Sequence, residues 1–258
     1  MPFTYHSHSG EFCLHASGKL EEVVLEAINK NFKILGLSEH SPRLSIQDFY
    51  PEEKHLEETD LVSSFEKYIA CARDLQKRYT NQIKILVGME TEWIHDSFTI
   101  QQLDYFKKYD LQYIIGSIHH EMVISFKPNI IGHFDLIRIF SPQHKFSEKV
   151  LSIISKTIDL CVEQNALFEI NSRAYKKNLE FPYPHPEIIK IIQAKGGKFT
   201  ISDDSHGPSD LGLYYSKLIP FLHESGIDKI YYIDYDSESG KIITKEYENF
   251  FTDSFWKN

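Results

Sequence analysis

Short runs rich in β-branched and aromatic residues alternate with longer runs of helical periodicity along most of the 258-residue chain. No other feature limits the fold as much. The strand candidates are residues 3–6, 34–38, 83–87, 113–116, 130–133, 167–170 and 198–201, with 229–233 as an eighth. Between them, 20–31 carries Leu20, Val23, Val24, Ala27 and Ile28 on one face, the spacing of an amphipathic helix. Residues 63–79, 97–109, 147–164, 186–194 and 209–224 read similarly. Pro186 near a helix start and Gly196-Gly197 just after its end match known start and stop preferences. Strand and helix repeated in this order predict an α/β chain whose parallel sheet is closed as a barrel or doubly wound.

A chain of this length forms one large domain in many barrels, and no linker, low-complexity tract or short repeat divides it. The least regular segment, 42–60, is acidic and contains Phe49-Tyr50-Pro51; a loop this long is either a binding element or lid, or a solvated excursion. The formal net charge is -9, and no stretch is rich in Lys and Arg, which argues against a nucleic-acid partner. Neither a signal peptide nor a membrane span is expected, since a basic start followed by an apolar run and long apolar stretches are both missing. Cys13, Cys71 and Cys161 are odd in number and widely spaced, so reduced thiols in a cytoplasmic protein are expected. Cys71 and Cys161 read as core residues, whereas Cys13 sits among histidines.

The placement of the 13 histidines and their acidic neighbours points to chemistry. His6 and His8 end the first strand candidate, and His40 ends the second. Glu90 follows the third, His119 and His120 the fourth, and His133 and Asp135 end the fifth. Asp204-Ser205-His206 follows the seventh. In parallel β/α folds the loops after the strands converge on one rim, so residues two hundred positions apart meet there. Imidazole and carboxylate suit Zn, Fe and Mn ions, and side chains two apart on a strand, as in His6-Ser7-His8, point the same way. A carboxylate such as Glu90 can bridge two ions. Glu39, Glu92, Asp135 and Asp203 are candidates for orienting the ligand imidazoles. His55, His144 and His223 read as surface residues, as do His95 and His185, the latter in a position to shape a loop.

The set His6-Ser7-His8-Ser9-Gly10 with His15, Ser38-Glu39-His40-Ser41-Pro42-Arg43, Gly88-Met89-Glu90-Thr91-Glu92, Gly116-Ser117-Ile118-His119-His120, Ile131-Gly132-His133-Phe134-Asp135, Glu169-Ile170-Asn171-Ser172 and Ser202-Asp203-Asp204-Ser205-His206 resembles the PHP (polymerase and histidinol phosphatase) superfamily. Within it, the chain is most similar to the histidinol-phosphate phosphatases, and no polymerase module accompanies it. The resemblance implies a single metallohydrolase domain over 1–258, a distorted (β/α)7 TIM-like barrel and a site for three Zn, Fe or Mn ions. His6, His8, Glu90 and Asp204 would hold one ion. Glu90 would bridge to a second, also bound by His119 and His133, and His15, His40 and His206 would hold the third. Asp204 is chosen over Asp203 because D-x-H is the family spacing, and His15 is a ligand that spacing alone does not find.

The implied activity is hydrolysis of L-histidinol phosphate in histidine biosynthesis, with Glu90, Asp204 and His206 as the catalytic residues. Clustered cations lower the pKa of bound water and offset phosphoryl charge, so a metal-bridging hydroxide is expected to attack phosphorus in line. His206, His15 or Asp203 could assist the leaving alkoxide. Arg43, Arg173 and Lys176 are candidates for the substrate phosphate, with Arg138 a weaker one, and Glu92 and His120 for the rest of the substrate. The alternative is another phosphoesterase of the superfamily, acting on a nucleotide, sugar phosphate or phosphotyrosine. The expected partner is a small phosphate ester, with no nucleic acid or membrane.

Overall fold

The computed structural model describes residues 2–257 with the exception of Ile118, His119 and His144. The strand–helix alternation builds one parallel sheet. Its strands are β1 (Phe3–Thr4), β3 (Ile34–Leu37), β4 (Lys84–Thr91), β5 (Tyr113–Ser117), β6 (Ile130–Gly132), β7 (Leu167–Asn171) and β8 (Lys198–Ser202), paired in that order. A further parallel pair, β2 (Ser7–His8) with β9 (Ser205–His206), joins the first and last strands beyond their C-terminal ends. The sheet thereby closes as a distorted (β/α)7 TIM-like barrel.

The first strand candidate, 3–6, is strand only at Phe3–Thr4, and a second short strand follows beyond it. Phe3 and Thr4 pair with Ile34 and Leu35, and the chain then changes partner so that Ser7 and His8 pair with Ser205 and His206. β4 runs on past Val87 to Thr91, beyond the sequence expectation, because Gly88 is a strand residue and not a turn. Its missing side chain leaves room for Tyr113: a Cβ there would lie 2.5 Å from the tyrosine ring. Tyr113, fully buried, donates from its hydroxyl to Tyr5 O (2.6 Å), and Tyr5 donates to Ile233 O (2.7 Å). The two buried rings meet edge to face at 6.1 Å, with both hydroxyls satisfied.

The expected eighth strand is not part of the barrel. It forms β10 (Tyr231–Asp236), antiparallel to β11 (Lys241–Glu246). Asp234 pairs with Lys84 at the N-terminal end of β4, so this hairpin lies across the end of the barrel opposite the histidines.

The helices cover the outside. α1 (Leu20–Asn29) buries Leu20, Val23, Val24 and Ala27, and α2 (Glu58–Arg78) buries Phe65, Tyr68, Ile69, Ala72 and Leu75. α2 starts five residues before the expected 63, on the polar run Glu58-Thr59-Asp60; Asp60 accepts from Glu57 N at 2.9 Å, a capping interaction. α3 (Asp96–Lys108), α4 (His120–Phe126), α5 (Glu148–Glu163), α6 (Arg173–Lys176) and α7 (Pro186–Ala194) follow. His95 and His185 cap α3 and α7, accepting from Phe98 N and Glu187 N. The last helix, α8 (Tyr215–Glu224), begins later than expected because Gly212 and Tyr214 take left-handed backbone conformations before it. Among the described residues, no helix is long and apolar enough to cross a membrane.

Candidate metal centre

The C-terminal ends of the strands bring the separated histidines and acids into one buried cluster. Glu90, near the end of β4, is at its centre. Its Oε1 lies 3.2 Å from His6 Nε2 and 2.9 Å from His133 Nε2, and its Oε2 lies 3.3 Å from His8 Nε2 and 2.9 Å from His40 Nδ1. Asp204 Oδ1 is 3.5 Å from His6 Nε2, 3.8 Å from His8 Nε2 and 3.4 Å from His206 Nδ1. His15 and His40 approach through their Nε2 atoms at 3.4 Å. His6 and His8, two apart where the chain changes strand partner, both direct Nε2 at the same two carboxylates.

In His6, His15 and His206 one ring nitrogen meets a carboxylate or a carbonyl, and this sets where its proton sits. Glu169 Oε2 is 3.1 Å from His6 Nδ1, and since a carboxylate only accepts, Nδ1 carries a proton and Nε2 is the nitrogen whose lone pair a cation can take. Glu39 stands 3.4 Å from His8 Nδ1 while accepting from Ser9 N and Ser9 Oγ, both at 2.8 Å. Glu52 is 3.1 Å from His15 Nδ1, and the Asp204 carbonyl 3.0 Å from His206 Nδ1. Two of the clustered residues are held in the left-handed region, His133 at φ 23 and Asp204 at φ 47, conformations that cost on the order of 1–3 kcal/mol each. A bond from His133 N to Glu169 Oε1 (3.1 Å) helps hold the first.

The electrostatics are those of a site built around positive charge. Burial disfavours the charged form of His6, but Asp204, Glu90 and Glu169 outweigh it and raise its pKa well above the ordinary value. His8 is raised to about 9: burial opposes this, and Glu39 and Glu90 overcome it. Glu90 is driven the other way, well below the carboxylate range, with His6 and His40 overriding burial. His206 falls to about 2 through burial and the charge on His8. His6 Nε2 and both nitrogens of His8 are buried without a completed hydrogen bond. Lone-pair donors buried at this density fit cations: the sets His6–His8–Glu90, His6–His133–Asp204, His8–Asp204–His206 and His15–His40–His206 each bring donor atoms within 4.8 Å of one another.

Over the cluster lies a cleft of about 370 Å³, lined by Tyr50, Glu92, Ser117, Leu136, Arg173, Lys177 and Tyr183 as well as the histidines. The residues before α2 fold onto it through two 3₁₀ turns (Ile46–Asp48 and Pro51–Glu53), so this segment is a wall of the site and not a solvated excursion.

A relative from Schizosaccharomyces pombe, named a probable histidinol-phosphatase, is 35% identical over 99% of this chain and 96% of its own length. The chain belongs to the PHP family of histidinol-phosphatases. The PHP domain model matches residues 4–128. The Saccharomyces cerevisiae histidinol-phosphatase is 27% identical over 99% of both chains. The same fold occurs in a histidinol phosphate phosphatase from Lactococcus lactis, whose crystal structure contains zinc, L-histidinol and phosphate; it is 18% identical with a TM-score of 0.69, covering 93% of this chain and 98% of that one.

In this family member the expected metal ligands His6, His8, His15, His40, Glu90, His133, Asp204 and His206 meet at the cluster. His119, and the side chain of His120, lie outside the described residues. Asp204, not Asp203, faces the imidazoles; Asp203 accepts from Thr4 Oγ1 (2.8 Å) and Gly212 N instead, and burial pushes it up to about 7. Among the described residues Asp135 has no imidazole partner; it accepts from His185 N (3.0 Å) and Arg138. Arg43 is buried, lies over the Tyr50 ring and pairs with Glu92. Arg173 lines the cleft, its Nη1 donating to Asp204 O (2.9 Å) and Asp210 Oδ2 (2.8 Å). Lys176 turns to Asp210, and the neighbouring Lys177 lines the cleft.

Residue-by-residue reading of the strand ends missed Glu169, Glu52, Ser117, whose hydroxyl donates to Glu90 Oε1 at 3.0 Å, and Lys177. For Glu169 a signal existed: it is the one charge in the apolar strand Leu167–Asn171, every residue of which is buried.

Proposed function

We propose that this protein hydrolyses L-histidinol phosphate to L-histidinol and phosphate, a step of histidine biosynthesis, as a single metallohydrolase domain spanning 1–258. The observation that carries the reading is the buried imidazole–carboxylate cluster under the cleft, in a chain that aligns over nearly its whole length with histidinol-phosphatases.

Three Zn, Fe or Mn ions fit the donor set. His6, His8, Glu90 and Asp204 would hold one, Glu90 with His119 and His133 a second, and His15, His40 and His206 a third. Such ions make water acidic enough to attack at neutral pH and offset charge on phosphoryl oxygens. The remaining work falls to the protein. Glu169 keeps His6 in the tautomer that presents a lone pair inward, and Glu39 places a carboxylate 3.4 Å from His8 Nδ1. His206 turns Nδ1 to the Asp204 carbonyl (3.0 Å), which leaves Nε2 to donate its lone pair. Asp203 does not line the cleft, so it lies out of reach of the leaving alkoxide. Arg173, anchored on Asp204 and Asp210 before substrate arrives, meets the phosphate oxygens, with Lys177 beside it. Glu92, held by Arg43 and accepting from Tyr50 (3.3 Å), offers its carboxylate to the cationic end of histidinol.

Cytoplasmic residence follows from the same reading and from three unpaired cysteines. The test is phosphate release from L-histidinol phosphate, with metal analysis on the same preparation. Turnover of nucleotides or sugar phosphates far above that of L-histidinol phosphate would overturn the substrate; fewer than two tightly bound ions per chain would overturn the three-ion site.

A further inference from the structure

Cys13 has no part in the ligand set above, yet its thiol is packed against it. Its Sγ lies 3.4 Å from His15 Nε2, the same nitrogen that lies 3.4 Å from His40 Nε2. Tetrahedral zinc, with bonds of about 2.3 Å to sulfur and about 2.05 Å to nitrogen, separates neighbouring ligands by roughly 3.6 Å for S and N and roughly 3.3 Å for two N. Both measured distances are close to those edges. Glu52, at 3.1 Å from His15 Nδ1, holds the proton on that atom and leaves the Nε2 lone pair toward Cys13 and His40. An independent observation comes from His8. Its ring is fully buried, neither nitrogen completes a hydrogen bond, and it groups with Cys13 and His40 with all three donor atoms within 4.8 Å.

We infer that Cys13 is a further protein ligand, a thiolate, of the ion held by His15, His40 and His206. On binding, the S–H bond breaks, the sulfur pair is donated to the ion, and the proton leaves to solvent. A thiolate is a soft donor, so this position selects zinc or cobalt over manganese, whereas the positions around Glu90 and Asp204 accept harder ions. The inference rests on the metal-centre reading.

The test is Co²⁺ added to the metal-free protein, with bound cobalt counted by elemental analysis. A thiolate-to-cobalt charge-transfer band in the near ultraviolet is expected, lost in Cys13→Ser and retained in Cys71→Ser and Cys161→Ser. Zinc-edge X-ray absorption on the unaltered protein should show one sulfur at about 2.3 Å, which does not depend on any variant folding. Bound cobalt without the band, or zinc with only nitrogen and oxygen neighbours, overturns the inference and leaves the metal centre standing; Cys13 is then a thiol donating to His15 and nothing more. No bound cobalt at all overturns both.

Discussion

Replacing Glu169 by Gln alters one atom of a side chain that is only 1% exposed, and the surroundings leave the amide no good orientation. Three donors converge on the carboxylate: His133 N (3.1 Å) and Asn171 Nδ2 (2.6 Å) on Oε1, and His6 Nδ1 (3.1 Å) on Oε2. If the amide oxygen keeps the first two, its NH₂ faces His6 Nδ1. That nitrogen must then accept, the imidazole proton moves to Nε2, and His6 loses the lone pair it directs at Glu90 and Asp204. If the amide flips, the NH₂ meets His133 N and Asn171 Nδ2, two buried donors left without an acceptor at about 1–3 kcal/mol each. Either arrangement weakens His6 or His133 as a ligand. Loss of such an outer partner costs on the order of 10- to 100-fold in metal affinity, or about 1.4–2.8 kcal/mol. The assay is competition for zinc against a chromophoric chelator, with kcat measured at saturating metal. Glu169→Asp, which keeps the charge, should recover part of the loss. Zinc affinity within twofold of the unaltered protein in Glu169→Gln would refute the tautomer argument.

Glu90→Ala removes the carboxylate shared by four imidazoles, so turnover should vanish and metal content per chain should fall; activity retained in a phosphate-release assay would remove Glu90 from the centre. Arg173→Ala should raise KM for L-histidinol phosphate by at least about tenfold, as expected for a lost charge-assisted pair, while Lys176→Ala, whose ammonium is engaged with Asp210, should change KM little. Gly88→Ala forces a methyl into the Tyr113 ring and should cost about 1–3 kcal/mol in urea unfolding of the metal-free protein. Asp203 titrates at about 7 in the fold against an ordinary value near 3.8. The native state thus binds the extra proton between those values, and its contribution to stability is present below about pH 4 and lost as pH rises through 7. Urea melts of metal-free protein at pH 5 and pH 8 should show Asp203→Asn gaining on the unaltered chain at the higher pH; a pH-independent difference would count against it.

The parallel sheet and the address of the site were legible because both rest on local regularities. Apolar runs of strand length, helices of period 3.6 and histidines placed just after strands each leave a mark within a few residues. What stayed hidden depends on partners far along the chain. The change of pairing after Thr4 is set by residues 205 and 206, and nothing in Tyr5-His6 announces it. Gly88 reads as the end of a strand until Tyr113, the residue that needs its space, is seen across the sheet. Residues 229–233 have a strand's composition, and only their antiparallel partner at 241–246 takes them out of the barrel. The site divides in the same way. Ligands that project from strand ends could be read from position, but His15 sits in a loop, and the residues that orient imidazoles lie elsewhere: Glu52 in the loop before α2, Glu169 in the middle of an apolar strand. Glu169 could have been found by asking what a lone carboxylate does in a strand buried along its whole length. Burying it without a partner costs several kcal/mol, so its presence required hydrogen-bond donors aimed at it. In a barrel whose strand ends carry histidines, one of those donors is an imidazole, His6.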